Sequence, residues 1–368
     1  MTDQHDTDIL FARRGVAGLV TLNRPQALNA VTHAMVRALA QQLAEWAGDP
    51  AITRIVVTAA GGRAFSAGGD LRRLYQLRQE GRVEDALAFW RDEYRLNALI
   101  KHYRKPYVAL IDGVVMGGGV GLAIHGSHRV AGDLFRFAMP EAGIGFFPDV
   151  GASWFLPRLP GERGTFCALT GAELNPAEAC AAGIATHRVS SARFSELADA
   201  LCGNVSVDAQ LAAFAEKVEE GASDRAAEDC WAAGDRWEAV DRLCKADHVE
   251  DILAAFEAQA AGQNKKEDTD AAFARSSAAR IRTKSPTSLK VTLALLRRGR
   301  LLDFDACMRT EFRVASRVAR GHDFYEGIRS VIIDKDRTPR WQPDQLASVS
   351  LAAVERYFEP LDAELDLP

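Results

Sequence analysis

The sequence predicts an α/β chain with mainly parallel strands that gives way, past about residue 160, to a mostly helical region. Three observations carry this. From Val16 to Ala138, short β-branched runs alternate with amphipathic stretches. Two glycine-rich turns, Phe65-Ser66-Ala67-Gly68-Gly69-Asp70 and Met116-Gly117-Gly118-Gly119-Val120-Gly121, each follow a strand-like run and open a helix-like one. Beyond them strands become rare, and residues 192–330 are rich in Ala, Leu, Glu and Arg.

Val16 to Leu22 alternates and is β-branched, so it reads as a strand ended by Asn23-Arg24-Pro25. Thr32 can cap a helix running to about Trp46, with Met35, Leu39, Leu43 and Trp46 on one face. Ile55 to Thr58 is a short buried strand closed by Ala60-Gly61-Gly62, and a helix starts near Asp70. Residues 83–104 form a long helix of mixed charge. Tyr107 to Ile111 is a strand, Asp112-Gly113 a turn, and Gly117 to Ile124 the start of a buried helix. Arg129 to Ala131 and Phe135 to Ala138 are strands, and Thr186 to Val189 is the last. Ala260 to Asp270 reads as an exposed loop, and the tail after Pro339 is partly irregular. No internal repeat is visible.

With 48% hydrophobic and 26% charged residues, 368 residues bury an ample core. A net charge of −5 gives no reason to expect a nucleic-acid surface. No apolar run reaches transmembrane length, so no membrane is expected. Six cysteines without a C-x-x-C pair read as reduced thiols, not as a disulfide framework or zinc site. The polar stretch Met1 to Asp8 carries no export or transit signal, and the expected location is cytoplasmic.

The glycine turns do not bind nucleotides by the usual motifs. Gly119-x-Gly121 would need a third small residue where Ile124 stands, and Gly121-x-x-x-x-Gly126 is followed by Ser127-His128 where Lys-Ser/Thr is required. His125 and His128 have helix-face ligand spacing, but no acid or cysteine nearby completes a metal set. No G-x-S-x-G elbow occurs. What remains is a pair of carboxylates, Glu141 and Asp149, in a segment otherwise built of Gly, Ala, Ile, Phe and Pro. Buried acids need a partner or a use. Turns that open helices leave backbone N–H groups free. Acids beside free amides point to acyl chemistry through an oxyanion. Asp149 could also simply cap a helix beginning near Gly151.

Phe65-Ser66-Ala67-Gly68-Gly69-Asp70-Leu71, Asp112-Gly113-x-x-Met116-Gly117-Gly118-Gly119 and Pro140-Glu141 resemble the crotonase (enoyl-CoA hydratase/isomerase) superfamily over residues 14 to about 190. The resemblance implies a ββα-spiral core in which the N–H groups of Gly69 and Gly118 bind a thioester oxygen. Ala67, Gly68, Asp70, Leu71, Gly117 and Gly121 then surround the acyl-CoA. Hydratases of the superfamily use two glutamates. One matches Glu141; the other belongs at Gly121, where it is missing. Met139-Pro140-Glu141-x-x-Ile144-Gly145-x-Phe147-Pro148-Asp149-Val150-Gly151, Ser285-Pro286-Thr287-Ser288-Leu289-Lys290, Arg320-Gly321-His322-Asp323-Phe324 and Asp334-Lys335-Asp336 resemble the 3-hydroxyisobutyryl-CoA hydrolase family within it.

That narrower resemblance implies hydrolysis of a 3-hydroxyacyl-CoA, as in valine catabolism. Glu141 acts as nucleophile or general base, and Asp149 binds the 3-hydroxyl. Neither metal nor cofactor is implied, since coenzyme A belongs to the substrate. The alternative is an enoyl-CoA hydratase or isomerase using Glu141 alone. The organisation implied is a core over 1–200 carrying the acyl-CoA site, a helical region over 201–345 covering it, and a tail over 346–368. The superfamily's habit implies a homo-oligomer.

Overall fold

The computed structural model describes residues 8–216, 233–262 and 265–368. The polar N-terminus up to residue 7 and Cys230 lie outside them, as do residues 263–264 of the expected loop.

Nine strands form two sheets among the described residues. The larger runs in the order β1 (Ile9–Arg14), β2 (Ala17–Leu22), β3 (Arg54–Ala59), β5 (Tyr107–Ile111), β7 (His128–Ala131), β9 (His187–Arg188). Only β1 and β2 pair antiparallel. The smaller sheet is β4 (Ala64–Ser66), β6 (Val114–Met116), β8 (Arg136–Ala138), all parallel. Each of β3, β5 and β7 is followed directly by its short companion β4, β6 or β8 in the second sheet. The chain thus repeats one supersecondary step three times. This repeat was invisible in the sequence because it lies in the connections, not in recurring residues.

Parallel pairing brings the C-terminal ends of β4, β6 and β8 to one edge. The residues that follow these strands are Ala67–Asp70, Gly117–Gly118 and Met139–Glu141. The small sheet therefore delivers both glycine turns and one acid to the same place.

Helices α1 (His33–Gly48), α2 (Leu71–Gln79) and α3 (Val83–Lys101) lie in the first half. Thr32 caps α1 by accepting from Met35 N, and Asp70 caps α2 by accepting from Arg73 N. The buried helix expected over Gly117 to Ile124 is a single turn, α4 (Gly118–Gly121). Four glycines within five residues, 117–121, give it little intrinsic helicity. The edge strand β1 was not anticipated: Leu10, Arg13 and Arg14 are exposed, so its alternation is blurred, and its charges blunt a free edge.

Past Asp149 come α5 (Ala152–Phe155), α6 (Arg163–Thr170), α7 (Pro176–Ala181), α8 (Phe194–Ala200) and α9 (Val207–Phe214). Then follow α10 (Ala233–Leu243), α11 (Val249–Ala260), α12 (Lys265–Arg282), α13 (Pro286–Gly299), α14 (Phe304–Val318) and α15 (Asp323–Ile328). Of the loop expected over Ala260 to Asp270, only Ala261 and Gly262 are described outside a helix, because α12 already opens at Lys265. One large apolar cluster spans both halves of the chain, joining Tyr94 and Phe147 to Phe312 and Phe324. Its continuity fixes the helical half against the sheets. Among the described residues no helix is long and apolar enough to cross a membrane, and the described cysteines are free thiols.

Candidate active site

A cavity of about 410 Å³ opens where the small sheet ends. Ala67, Gly68, Gly69, Leu71, Met116, Gly117, Gly118, Glu141 and Asp149 line it from the α/β half. Phe89, Trp90 and Glu93 of α3 form one wall. Lys284, Phe324, Val331 and Ile332 close it from the helical half.

The two glycine amides are set by their neighbours. Val31 makes a parallel bridge at Gly69: its N–H donates to Gly68 O at 2.8 Å and its carbonyl accepts from Asp70 N at 3.0 Å. Those bonds pin both flanks of Gly69 and leave its own N–H turned away from Val31. Gly118 begins α4, so its N–H has no acceptor within the helix. Among the described residues neither N–H has a protein acceptor. They are close together, since a Cβ on Gly118 would lie 3.4 Å from Gly69 N. Gly68 at φ +103° and Gly117 at φ +48° sit in backbone regions that side chains rarely tolerate. Glycine there is what lets the two turns approach.

Glu141 opens a 3-10 turn, Glu141–Ile144, after Met139-Pro140 at the end of β8. It is 7% exposed, and its Oε2 has no hydrogen-bond partner among the described residues. A Cβ on Gly117 would sit 3.1 Å from its Oε1. Burial, and next the charge of Asp149, push its carboxyl well above the usual range, while Lys284 pulls it down. Asp149 is also buried and accepts a 2.8 Å hydrogen bond from Tyr94 Oη. Burial pushes it up to about 7 against the pull of that hydroxyl.

A third carboxyl was not foreseen. Glu93 is 2% exposed, its Oε1 has no partner, and a Cβ on Gly118 would meet that oxygen at 2.5 Å. Burial, and then Asp149, hold it well above the carboxylate range. A signal was present: Ala86, Phe89, Trp90, Glu93 and Asn97 share the buried face of α3. An acid at helical spacing on an apolar stripe needs an explanation. Lys284 is the one cation lining the cavity among the described residues, beside three acids. Its Nζ lies 3.1 Å from where a Cβ on Gly143 would be. Burial, and next Arg280, lower its pKa, while Glu141 raises it.

A profile of the enoyl-CoA hydratase/isomerase family matches residues 17–358. The chain belongs to that family. The 3-hydroxyisobutyryl-CoA hydrolase, mitochondrial, of Danio rerio is 42% identical over 372 residues, 100% of this chain and 93% of its own length. The Homo sapiens protein of that name is 39% identical over 356 residues, 96% of this chain and 89% of its own. Among solved structures, a carnitinyl-CoA dehydratase from Mycobacterium thermoresistibile superimposes with a TM-score of 0.86 at 40% identity, covering 98% of both chains. An enoyl-CoA hydratase from Rhodobacter sphaeroides 2.4.1 gives 0.85 at 36%, covering 98% of this chain and 100% of its own. The architecture is thus the crotonase fold with a helical C-terminal region.

Two residues expected at this family's acyl-CoA site stand outside the cavity. Asp70 caps α2 and binds Arg24 at 3.2 Å, which turns it toward a neighbouring cleft. Gly121 is packed against Asn97 and Val150, with 2.7 Å from its would-be Cβ to Asn97 Nδ2. A side chain at 121 has no room, and Asn97 fills the space. His125 and His128 part company as well. His125 Nε2 donates to Val150 O at 2.6 Å, and burial lowers its pKa to about 3, so it is neutral. His128 pairs with Asp208. The helix after Gly151 is not capped by Asp149: Glu311 of α14 accepts from Gly151 N and Ser153 N instead.

Proposed function

We propose that this chain hydrolyses 3-hydroxyacyl-CoA thioesters, with 3-hydroxyisobutyryl-CoA the favoured substrate. The observation that carries the reading is one cavity holding Glu141, with an unpartnered carboxyl oxygen, two convergent free amides at Gly69 and Gly118, and Asp149. Its support from kinship is the near-full-length similarity to proteins of that name.

In this reading the thioester oxygen accepts from Gly69 N–H and Gly118 N–H, which stabilise the negative charge that develops on it. Glu141 then works in one of two ways. As a nucleophile its oxygen bonds to the carbonyl carbon, the C–S bond breaks, and the CoA thiolate leaves and takes a proton. Water later cleaves the anhydride. As a general base it removes a proton from water while that water attacks. Both routes need Glu141 ionised, and Lys284 favours that form. Asp149, held by Tyr94, accepts the substrate's 3-hydroxyl hydrogen bond. Glu93, whose pKa burial and Asp149 raise, lies beside Gly118 as a further carboxyl in the cavity. Ala67, Gly68, Leu71 and Gly117 flank the acyl-CoA. Valine breakdown, a cytoplasmic location and a homo-oligomer complete the reading; the named relatives are mitochondrial.

Purified protein mixed separately with 3-hydroxyisobutyryl-CoA and crotonyl-CoA, with a thiol reagent present, tests it. Release of CoA thiol from the first substrate is expected. Consumption of crotonyl-CoA without thiol release would overturn the proposal in favour of hydration, the activity named for the Rhodobacter sphaeroides structure.

A further inference from the structure

Between Asp149 and α5 the backbone does something rare. Val150 has φ +53° and Gly151 φ +87°, two consecutive residues in the left-handed region, the first of them β-branched. Gly151 is required there, since a Cβ would lie 2.5 Å from His125 Cε1. Strain of this kind persists only when surrounding bonds over-determine it.

Those bonds are on both sides of the turn. His125 Nε2 donates to Val150 O at 2.6 Å. Glu311 Oε2 accepts from Gly151 N at 2.8 Å, and its Oε1 accepts from Ser153 N at 2.9 Å and Ser153 Oγ at 2.6 Å. Glu311 is fully buried and belongs to the helical half, 160 residues from Gly151. Asp149 adjoins the strained pair, lines the cavity and accepts a 2.8 Å hydrogen bond from the buried Tyr94 Oη. A relaxed turn at 150–151 would swing the Cα–Cβ vector of residue 149.

We propose that Glu311 is a positioning residue for substrate recognition: by holding the left-handed Val150-Gly151 turn, it keeps the Asp149 carboxyl aimed into the cavity. This rests on the reading that Asp149 receives the substrate 3-hydroxyl. An ordinary helix cap would serve stability alone, and the strained valine next to a cavity acid distinguishes the two.

The test compares kcat/KM for 3-hydroxyisobutyryl-CoA and isobutyryl-CoA in the full-length enzyme, with melting temperatures and a crystal structure of each variant. In Glu311→Gln the preference for the hydroxylated substrate falls about fivefold or more, and turnover of isobutyryl-CoA stays within about threefold. In the Asp149→Gly background Glu311→Gln changes the preference no further, because its effect passes through Asp149. The crystal structure shows Val150 out of the left-handed region and the Tyr94–Asp149 bond opened. Equal slowing of both substrates, or a lowered melting temperature with the preference intact, overturns the proposal. Should Glu311→Gln not fold, Ser153→Ala removes one of the three donors and must lower the preference in the same direction; an unchanged preference there overturns it. Should the wild-type enzyme show no preference at all, the reading of Asp149 fails, and the crystal structures still decide whether Glu311 holds the turn.

Discussion

The α/β half and the helical half contribute to the cavity by different physics. The first works through backbone: three short parallel strands end together, and glycines at their tips expose two N–H groups. The second works through side chains that arrive from far along the chain: Lys284 beside Gly143, Phe324 on the wall, Glu311 behind Asp149. Backbone donors are fixed by local geometry, so glycine spacing reveals them. Side chains from distant helices are placed by packing alone. One half thus supplies free backbone donors, and the other places charged and aromatic side chains around them.

The sharpest way to break this division is Glu141→Gln, which keeps shape and removes charge. Thiol release from 3-hydroxyisobutyryl-CoA should fall roughly 100–10,000-fold, while acyl-CoA affinity stays within about tenfold. Retained turnover would move the chemistry away from the small sheet's edge.

Gly118→Val tests the backbone contribution next. Its side chain must displace Glu93 Oε1, which would lie 2.5 Å from the new Cβ, and block the approach to the amide. A loss of about 100–1,000-fold in kcat with far-UV circular dichroism unchanged is expected. A folded variant working at the parent rate would rule out Gly118 as a donor.

Lys284 probes the tuning half. Removing this cation leaves Glu141 with the burial and Asp149 effects that raise its pKa and without the lysine charge that helps to lower it. In Lys284→Met the acid limb of the kcat/KM profile should therefore move to higher pH, with about a threefold to tenfold loss on the acid side and recovery on the alkaline side. Lys284→Arg should restore the profile. A pH-independent loss would mean that Lys284 only packs.

The last effect is on stability and not on turnover. Asp149 has its folded pKa at about 7, above an ordinary value of 3.8. Between those limits the folded state holds more protons than the unfolded one, so stability is full at the acid end and declines as pH rises through 7. Asp149→Asn removes that penalty. The variant should match the wild type near pH 4 and exceed it increasingly up to about pH 7, by on the order of 1–4 kcal/mol. Melting curves at four pH values suffice; a variant less stable at pH 8 would show that the carboxylate contributes more through Tyr94 than burial costs.

Much of this protein is legible one residue at a time. Short apolar, β-branched runs mark β2, β3 and β5, Thr32 and Asp70 mark two helix starts, and the glycine turns with Glu141 and Asp149 mark residues that line one cavity. Each of these depends on local rules: side-chain period, capping, and backbone freedom at glycine. Residues whose role is non-local escaped. Glu93 looks like one charge among many on α3 until the fold buries that face, and Asp70 looks like a site residue until Arg24 claims it. Asp149 reads as a helix cap until Glu311, 160 residues from Gly151, takes the cap's hydrogen bonds. A sequence fixes which groups exist and how their own turn of backbone runs. Which acid loses its water, and which neighbour answers it, depends on desolvation and distance, and only the packed tertiary structure supplies those.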